Sequence, residues 1–201
     1  MKWTPQETSG GKIPPVYYIN SRKPSASVLL GRQLEQLIRQ HPRSAEPPVI
    51  LCIGTDRVTG DSLGPLTGSF LTAYGGHRRL AIYGTLEAPV HALNLRDAER
   101  QIKKKHPRSL VLAVDASLGE KKHLGYLTLG QGSLTPGAGV QKSLTAVGDL
   151  FLTGIVSVDT PQAQLALQNT RLAPVTRMAC CIAQGILYAC CPAALAAAVR
   201  T

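Results

Sequence analysis

Aromatic residues make up only 4% of this 201-residue chain, and its 12 acidic residues are outnumbered by 22 lysines and arginines. The first shortage qualifies the second. Surfaces that bind single strands or RNA stack bases on aromatic rings set among cations. The basic clusters His77-Arg78-Arg79, Lys103-Lys104-Lys105-His106-Pro107-Arg108 and Lys121-Lys122-His123 contain no aromatic residue. Specific nucleic-acid binding is therefore not expected. The formal net charge of +10 still suits acidic protein substrates or anionic surfaces, and equally a basic surface that does no more than keep the protein in solution.

The C-x₂-C spacing favoured by zinc sites is also missing. The five cysteines are Cys52 and two adjacent pairs, Cys180-Cys181 and Cys190-Cys191. An odd count without a signal peptide points to a reducing, cytoplasmic setting, and adjacent cysteines in an apolar helix read as small core residues. Charge is absent between Arg177 and Arg200, so a membrane span has to be weighed. Alanine richness with Gln184, Gly185 and Pro192 weakens the drive to insert, and the segment reads as a core helix with an Ala-rich tail. There is no internal repeat. With 44% hydrophobic and 17% charged residues, the chain is long enough for one domain with a real core.

What is present is organised around residues 49–65. Val49 to Ile53 is an apolar run after Pro47-Pro48 and reads as a buried strand. A loop with two glycines and two aspartates, Asp56 and Asp61, follows, and a helix is expected from Ser62 to Tyr74. Residues 1–24 read as an extended arm with Val16 to Ile19 docked on the body. Ser25 to His41 carries a helical stripe that Pro42 stops. Leu80 to Tyr83, Ser109 to Asp115, Gly125 to Leu129 and Leu150 to Val158 read as strands. Leu93 to Lys105, Pro161 to Arg171 and Pro174 onward read as helices, and the lysines ending the first suit its dipole.

Strands alternating with helices predict an α/β fold in three α/β/α layers with a mainly parallel, twisted sheet, over residues 25–190, leaving 191–201 as a tail. In such a sheet the carboxyl ends of the strands share one rim, the usual ligand position. If the strands at 49–53 and 109–115 are neighbours, Asp61 and Asp115 converge there. Paired carboxylates raise one pKa, leaving one acid and one base to activate water and protonate a leaving nitrogen. The competing reading makes Asp61 a helix N-cap, worth about 1 kcal/mol, and Asp115 a partner of loop amides. Asp56, Glu87 and His91 are candidate substrate contacts at the rim. Gly137 and Gly139 permit a tight bend that would line a groove. Cys52 lacks an evident base and is not expected to be a nucleophile.

Several separated motifs occur together: Ile53-Gly54-Thr55-Asp56, Gly60-Asp61-Ser62-Leu63-Gly64-Pro65, Gly84 to Leu95, Asp115-Ala116-Ser117-Leu118-Gly119, Val147-Gly148-Asp149, Thr153-Gly154-Ile155-Val156 and Leu167 to Leu172. In that order they resemble the YyaC-type sporulation proteins of spore-forming bacteria, over about residues 25 to 190. That family is similar in fold to the spore germination protease and, more distantly, to the hydrogenase maturation peptidases. The resemblance implies an aspartate-dependent peptidase of sporulation or germination, with Asp61 and Asp115 as the catalytic pair and no cofactor. It also implies protein substrates, the small acid-soluble proteins that coat spore DNA, and a place in the sporulating cell or forespore. Two alternatives stay open: a catalytically silent protein that binds a partner in the inherited groove, and a metal-dependent hydrolase of the hydrogenase-peptidase kind. The latter needs a histidine ligand after Asp115, and only His123, in a lysine-rich turn, is offered.

Overall fold

The structure, a computed structural model, describes residues 2–3, 15–75, 79–136 and 146–191. Its strands are β1 (Lys2–Trp3), β2 (Tyr17–Asn20), β3 (Val49–Cys52), β4 (Ala81–Tyr83), β5 (Val111–Gly119), β6 (Tyr126–Gln131), β7 (Leu134–Thr135) and β8 (Leu150–Val158). Its helices are α1 (Ala26–Gln40), α2 (Leu63–Ala73), α3 (Leu95–Lys105), α4 (Ala163–Gln168) and α5 (Leu172–Cys190). Six strands form one sheet in the order β2-β6-β8-β5-β3-β4, and β1 pairs separately with β7. β4, β3, β5 and β8 run parallel to one another, β6 is antiparallel to β8, and β2 is antiparallel to β6. The fold is therefore the expected three-layer α/β/α arrangement around a mainly parallel sheet.

Every residue of β3 is buried, which explains its unbroken apolar composition: a strand covered on both faces has no polar side to show. Ile50 and Cys52 join the core under α1, α2 and α5; Val49 and Leu51 join the one shared with α3. Each fully buried leucine or isoleucine contributes about 2 kcal/mol relative to exposure. Against the sheet, α1 lays Leu30, Leu34 and Leu37; of the apolar stripe read from the sequence, Val28, Leu29, Leu34, Leu37 and Ile38, the first two are exposed instead. Gly31 and Gly185 let α1 and α5 approach closely. A Cβ on Gly31 would stand 2.5 Å from Tyr188, and one on Gly185 would stand 2.6 Å from Leu30.

By length and a mean hydropathy of 1.3, α5 is the one helix among the described residues that could cross a membrane. Val175, Met178, Ala179, Ile182, Ile186 and Leu187 are instead buried in the fold. It starts at Leu172, two residues ahead of Pro174, because proline is tolerated in a helix's first turn, where no intrahelical N–H bond is lost. Cys52, Cys180, Cys181, Cys190 and Cys191 are all free thiols, and burial is the main cause pushing Cys181 up to about 11 and Cys190 to about 12.

The docking expected of Val16 to Ile19 takes the form of an edge strand, Tyr17–Asn20, paired from Tyr17↔Leu129 to Asn20↔Tyr126, with Ile19 buried. Two expectations need correction. Cys191, placed in the tail, is fully buried and donates its N–H to the Leu187 carbonyl. Asp115 does not end its strand. β5 continues to Gly119 because Ala116 to Gly119 find partners along β8, with a bulge between Ser117 and Leu118.

Candidate active site

The site lies where β3 stops and β5 goes on. Cys52 is the last residue of β3 and pairs with Val114, so Asp115 is the first β5 residue beyond its neighbour's end. The chain leaving β3 is held in place residue by residue. Ile53 N–H donates to Val114 O (2.7 Å) and Gly54 N–H to Val90 O (2.8 Å). Thr55 N–H donates to the Asp61 carbonyl at 3.1 Å, closing the loop, and Asp61 N–H donates to Val58 O at 2.9 Å. A 3₁₀ turn, Thr59–Ser62, then feeds α2.

Glycines make this geometry possible. Gly54 has φ +140°, and a Cβ on it would lie 2.0 Å from the Asp61 carbonyl oxygen. Gly64 in the first turn of α2 rests on the Ile53 carbonyl, and Gly68 on that of Gly84. Gly84 itself, at φ +88°, is pressed against the Cys52 carbonyl, 1.8 Å from where its Cβ would be. Backbone thus packs on backbone from β3 to α2 to the loop after β4, with no room for a side chain between. The backbone of Asp61 is fixed by that packing.

The two carboxyl groups meet in a poorly solvated place. Asp115 is only 4% exposed. Burial raises its pKa well above the ordinary carboxylate range, and the charge of Asp61 raises it further, against one opposing N–H from Ala116 at 2.7 Å from Oδ1. Asp61 is pushed up to about 6, again mainly by burial, with the Thr55 backbone N–H pulling the other way. Like charges close together in low dielectric cannot both ionise near neutrality. Burial and the charge of Asp61 thus favour the neutral form of Asp115.

Asp61 is not a helix cap. Ser62 is the N-cap of α2 and makes no side-chain cap bond; its hydroxyl donates instead to the Thr59 carbonyl at 2.7 Å. Of the other candidates, Asp56 and Glu87 are exposed on turns and do not join the pair. His91 is half-buried beside the rim, next to Val90, which bridges Ile53. Its Nδ1 accepts the Leu93 N–H (3.3 Å) and its own N–H donates to Asn94 Oδ1 (2.8 Å), so it organises the turn before α3. Gly137 and Gly139 lie outside the described residues.

The donor set for a metal is incomplete. Among the described residues no three His, Cys, Asp or Glu side chains gather where an ion could sit. His123 packs between Tyr18 (ring centroids 5.2 Å apart, tilted) and Tyr126 (5.5 Å, edge-on). Cys52 is fully buried and its thiol is pushed far up by burial, the opposite of an activated nucleophile. A cavity of about 790 Å³ between α1, α2 and α5 has neither carboxylate in its lining.

Sequence reasoning missed Ser117, Thr128 and Thr153, buried hydroxyls on β5, β6 and β8. Their one signal was a lone threonine inside each of two apolar runs, Tyr126 to Leu129 and Leu150 to Val156.

Comparison with known proteins places the chain among relatives. The model of a family described as "Protein of unknown function (DUF1256)" matches residues 18–185. "Uncharacterized protein YyaC" of Bacillus subtilis (strain 168) is 47% identical over 157 residues, covering 77% of this chain and 76% of that protein.

Proposed function

The chain belongs to the DUF1256 family, and from that premise we propose that it is an aspartate-dependent peptidase in which Asp61 and Asp115 act as base and acid. One observation carries the reading: a buried aspartate, Asp115, with a second carboxylate, Asp61, close enough to raise its pKa. Such an arrangement is costly to fold and is what acid–base chemistry needs.

In this mechanism ionised Asp61 takes a proton from a water held between the carboxyl groups, and the resulting hydroxide attacks the peptide carbonyl. Neutral Asp115 gives its proton to the leaving nitrogen as the C–N bond breaks. The pair ends with the same single proton, moved from Asp115 to Asp61, and exchange with solvent resets it. In this mechanism backbone N–H groups at the start of the helix near Ser62 stabilise the charge that develops on the carbonyl oxygen. With two carboxylates and no third ligand among the described residues, the site does not fit a metal of the hydrogenase-peptidase kind.

The resemblance to the germination protease supplies the substrates, small acid-soluble spore proteins, and a role in sporulation or germination. The net charge of +10 suits acidic protein segments. The test is incubation of purified small acid-soluble spore proteins with wild type, Asp61→Asn and Asp115→Asn, read by mass spectrometry. Cleavage by wild type alone is expected. Equal cleavage by the variants, or none by any of the three, overturns the proposal.

A further inference from the structure

On the sheet face that carries Asp115, hydroxyl side chains stand where aliphatic ones would be expected. Asp115 is the register partner of Thr153, Thr153 of Thr128, and Thr128 of Tyr18. Register partners project to one face, so the four residues form a row across β5, β8, β6 and β2. At about 4.8 Å between strands, the row is roughly 14 Å long. Ser117, two residues after Asp115, falls on the same face.

Ser117, Thr128 and Thr153 are 9%, 9% and 3% exposed. They bond to one another, Thr128 Oγ1 to Thr153 Oγ1 at 2.6 Å and Ser117 Oγ to Thr153 Oγ1 at 3.1 Å. Three hydroxyls carry three protons, and two bonds use two of them. Among the described residues these side chains form no other hydrogen bond, so one buried O–H donor is unspent. Buried donors are rarely left so. All three line a cleft of about 300 Å³ whose other walls include Tyr18, His123 and Ile155. The spare donor therefore meets an acceptor that enters from outside, with water in its place when the cleft is empty.

Resting on the peptidase reading of Asp61 and Asp115, we infer that this cleft is the subsite for one side of the scissile bond. It takes an extended peptide of about four residues, running from Asp115 towards Tyr18. An extended chain advances about 3.3 Å per residue, which matches the length of the row. A backbone carbonyl of that peptide accepts the spare proton of the Thr128–Thr153–Ser117 chain, and the Tyr18 and His123 rings flank its far end. The hydroxyls position the substrate and take no part in bond breaking.

Two measurements test this apart from the chemistry. The triple variant Ser117→Ala, Thr128→Val, Thr153→Val removes every donor of the Thr128–Thr153–Ser117 chain; Thr153→Ser keeps all three hydroxyls. With tryptic peptides of casein as probe, the triple variant is expected to raise KM about tenfold with kcat nearly unchanged, and Thr153→Ser to keep the wild-type KM. Unchanged KM in the triple variant with cleavage intact overturns the subsite and leaves the peptidase standing. In the Asp61→Asn protein, which needs no turnover, the threonine methyl NMR signals of Thr128 and Thr153 should shift on adding the same peptides. If no peptide is cut by wild type yet these signals move, the catalytic reading fails and the subsite survives. If they do not move, the subsite is overturned.

Discussion

The charge of Asp61 reaches Asp115 across the gap that opens where β3 ends and β5 continues, and it raises a pKa that burial has already raised. Two residues 54 positions apart in the chain are thus electrostatically linked.

A raised carboxylate pKa destabilises the fold whenever the group must ionise. Asp61 moves from 3.8 to about 6, so the native state holds its proton more tightly than the unfolded chain. Stability from this residue is fully present below about pH 4 and falls as pH rises through about 6. Two pKa units correspond to at most about 3 kcal/mol. Urea unfolding from pH 4 to 7 should show Asp61→Asn gaining on wild type by about 2–3 kcal/mol, with the gain levelling off above pH 6.

Catalysis needs one proton on the pair. Activity should rise through about pH 6 as Asp61 ionises and fall at a higher pH where Asp115 loses its proton. Both single Asn variants should lose about 10²–10⁴-fold in kcat, measured in the same peptide assay. A flat pH profile in wild type would contradict the assignment of roles.

Gly84→Ala would press a methyl group into the Cys52 carbonyl, at a positive φ that alanine tolerates poorly. The expected loss is about 2–4 kcal/mol, seen as a lowered urea midpoint. Gly75, also at positive φ but with nothing near its Cβ position, should lose only about 1 kcal/mol on the same change.

Asp149 ties the start of β5 to β8: its Oδ2 accepts the Val111 N–H at 2.8 Å, and Arg43 lies 3.4 Å away. Asp149→Asn should cost about 1–2 kcal/mol of stability and leave the pH dependence of activity as in wild type.

Cys52→Ala should keep activity within about twofold of wild type while costing about 1 kcal/mol for the lost buried sulfur. Iodoacetamide should leave Cys52 of the native protein unmodified, because its thiol is fully buried.

Much of the architecture was legible because it is local. Leu34 and Leu37 mark the buried face of α1, although Leu30 and not Val28 or Leu29 completes it, and the unbroken run Val49 to Cys52 marks a strand covered on both faces. Asp61 could be singled out because it follows such a strand in a glycine-bearing loop ahead of a helix. Tyr17–Asn20 was hidden, since an edge strand with little periodicity is defined by its partner, β6. The extent of β5 was hidden for the same reason: residues 116–119 are strand because β8 pairs with them.

The sequence by itself therefore determined the alternation of strands and helices, the covered sheet and the candidacy of two aspartates, because periodicity and turn chemistry act within a few residues. Only the tertiary structure decided that Asp61 lies within electrostatic reach of Asp115. Only it set Thr153 between Asp115 and Thr128. Both depend on strand order and register, which are fixed by packing between segments far apart in the chain.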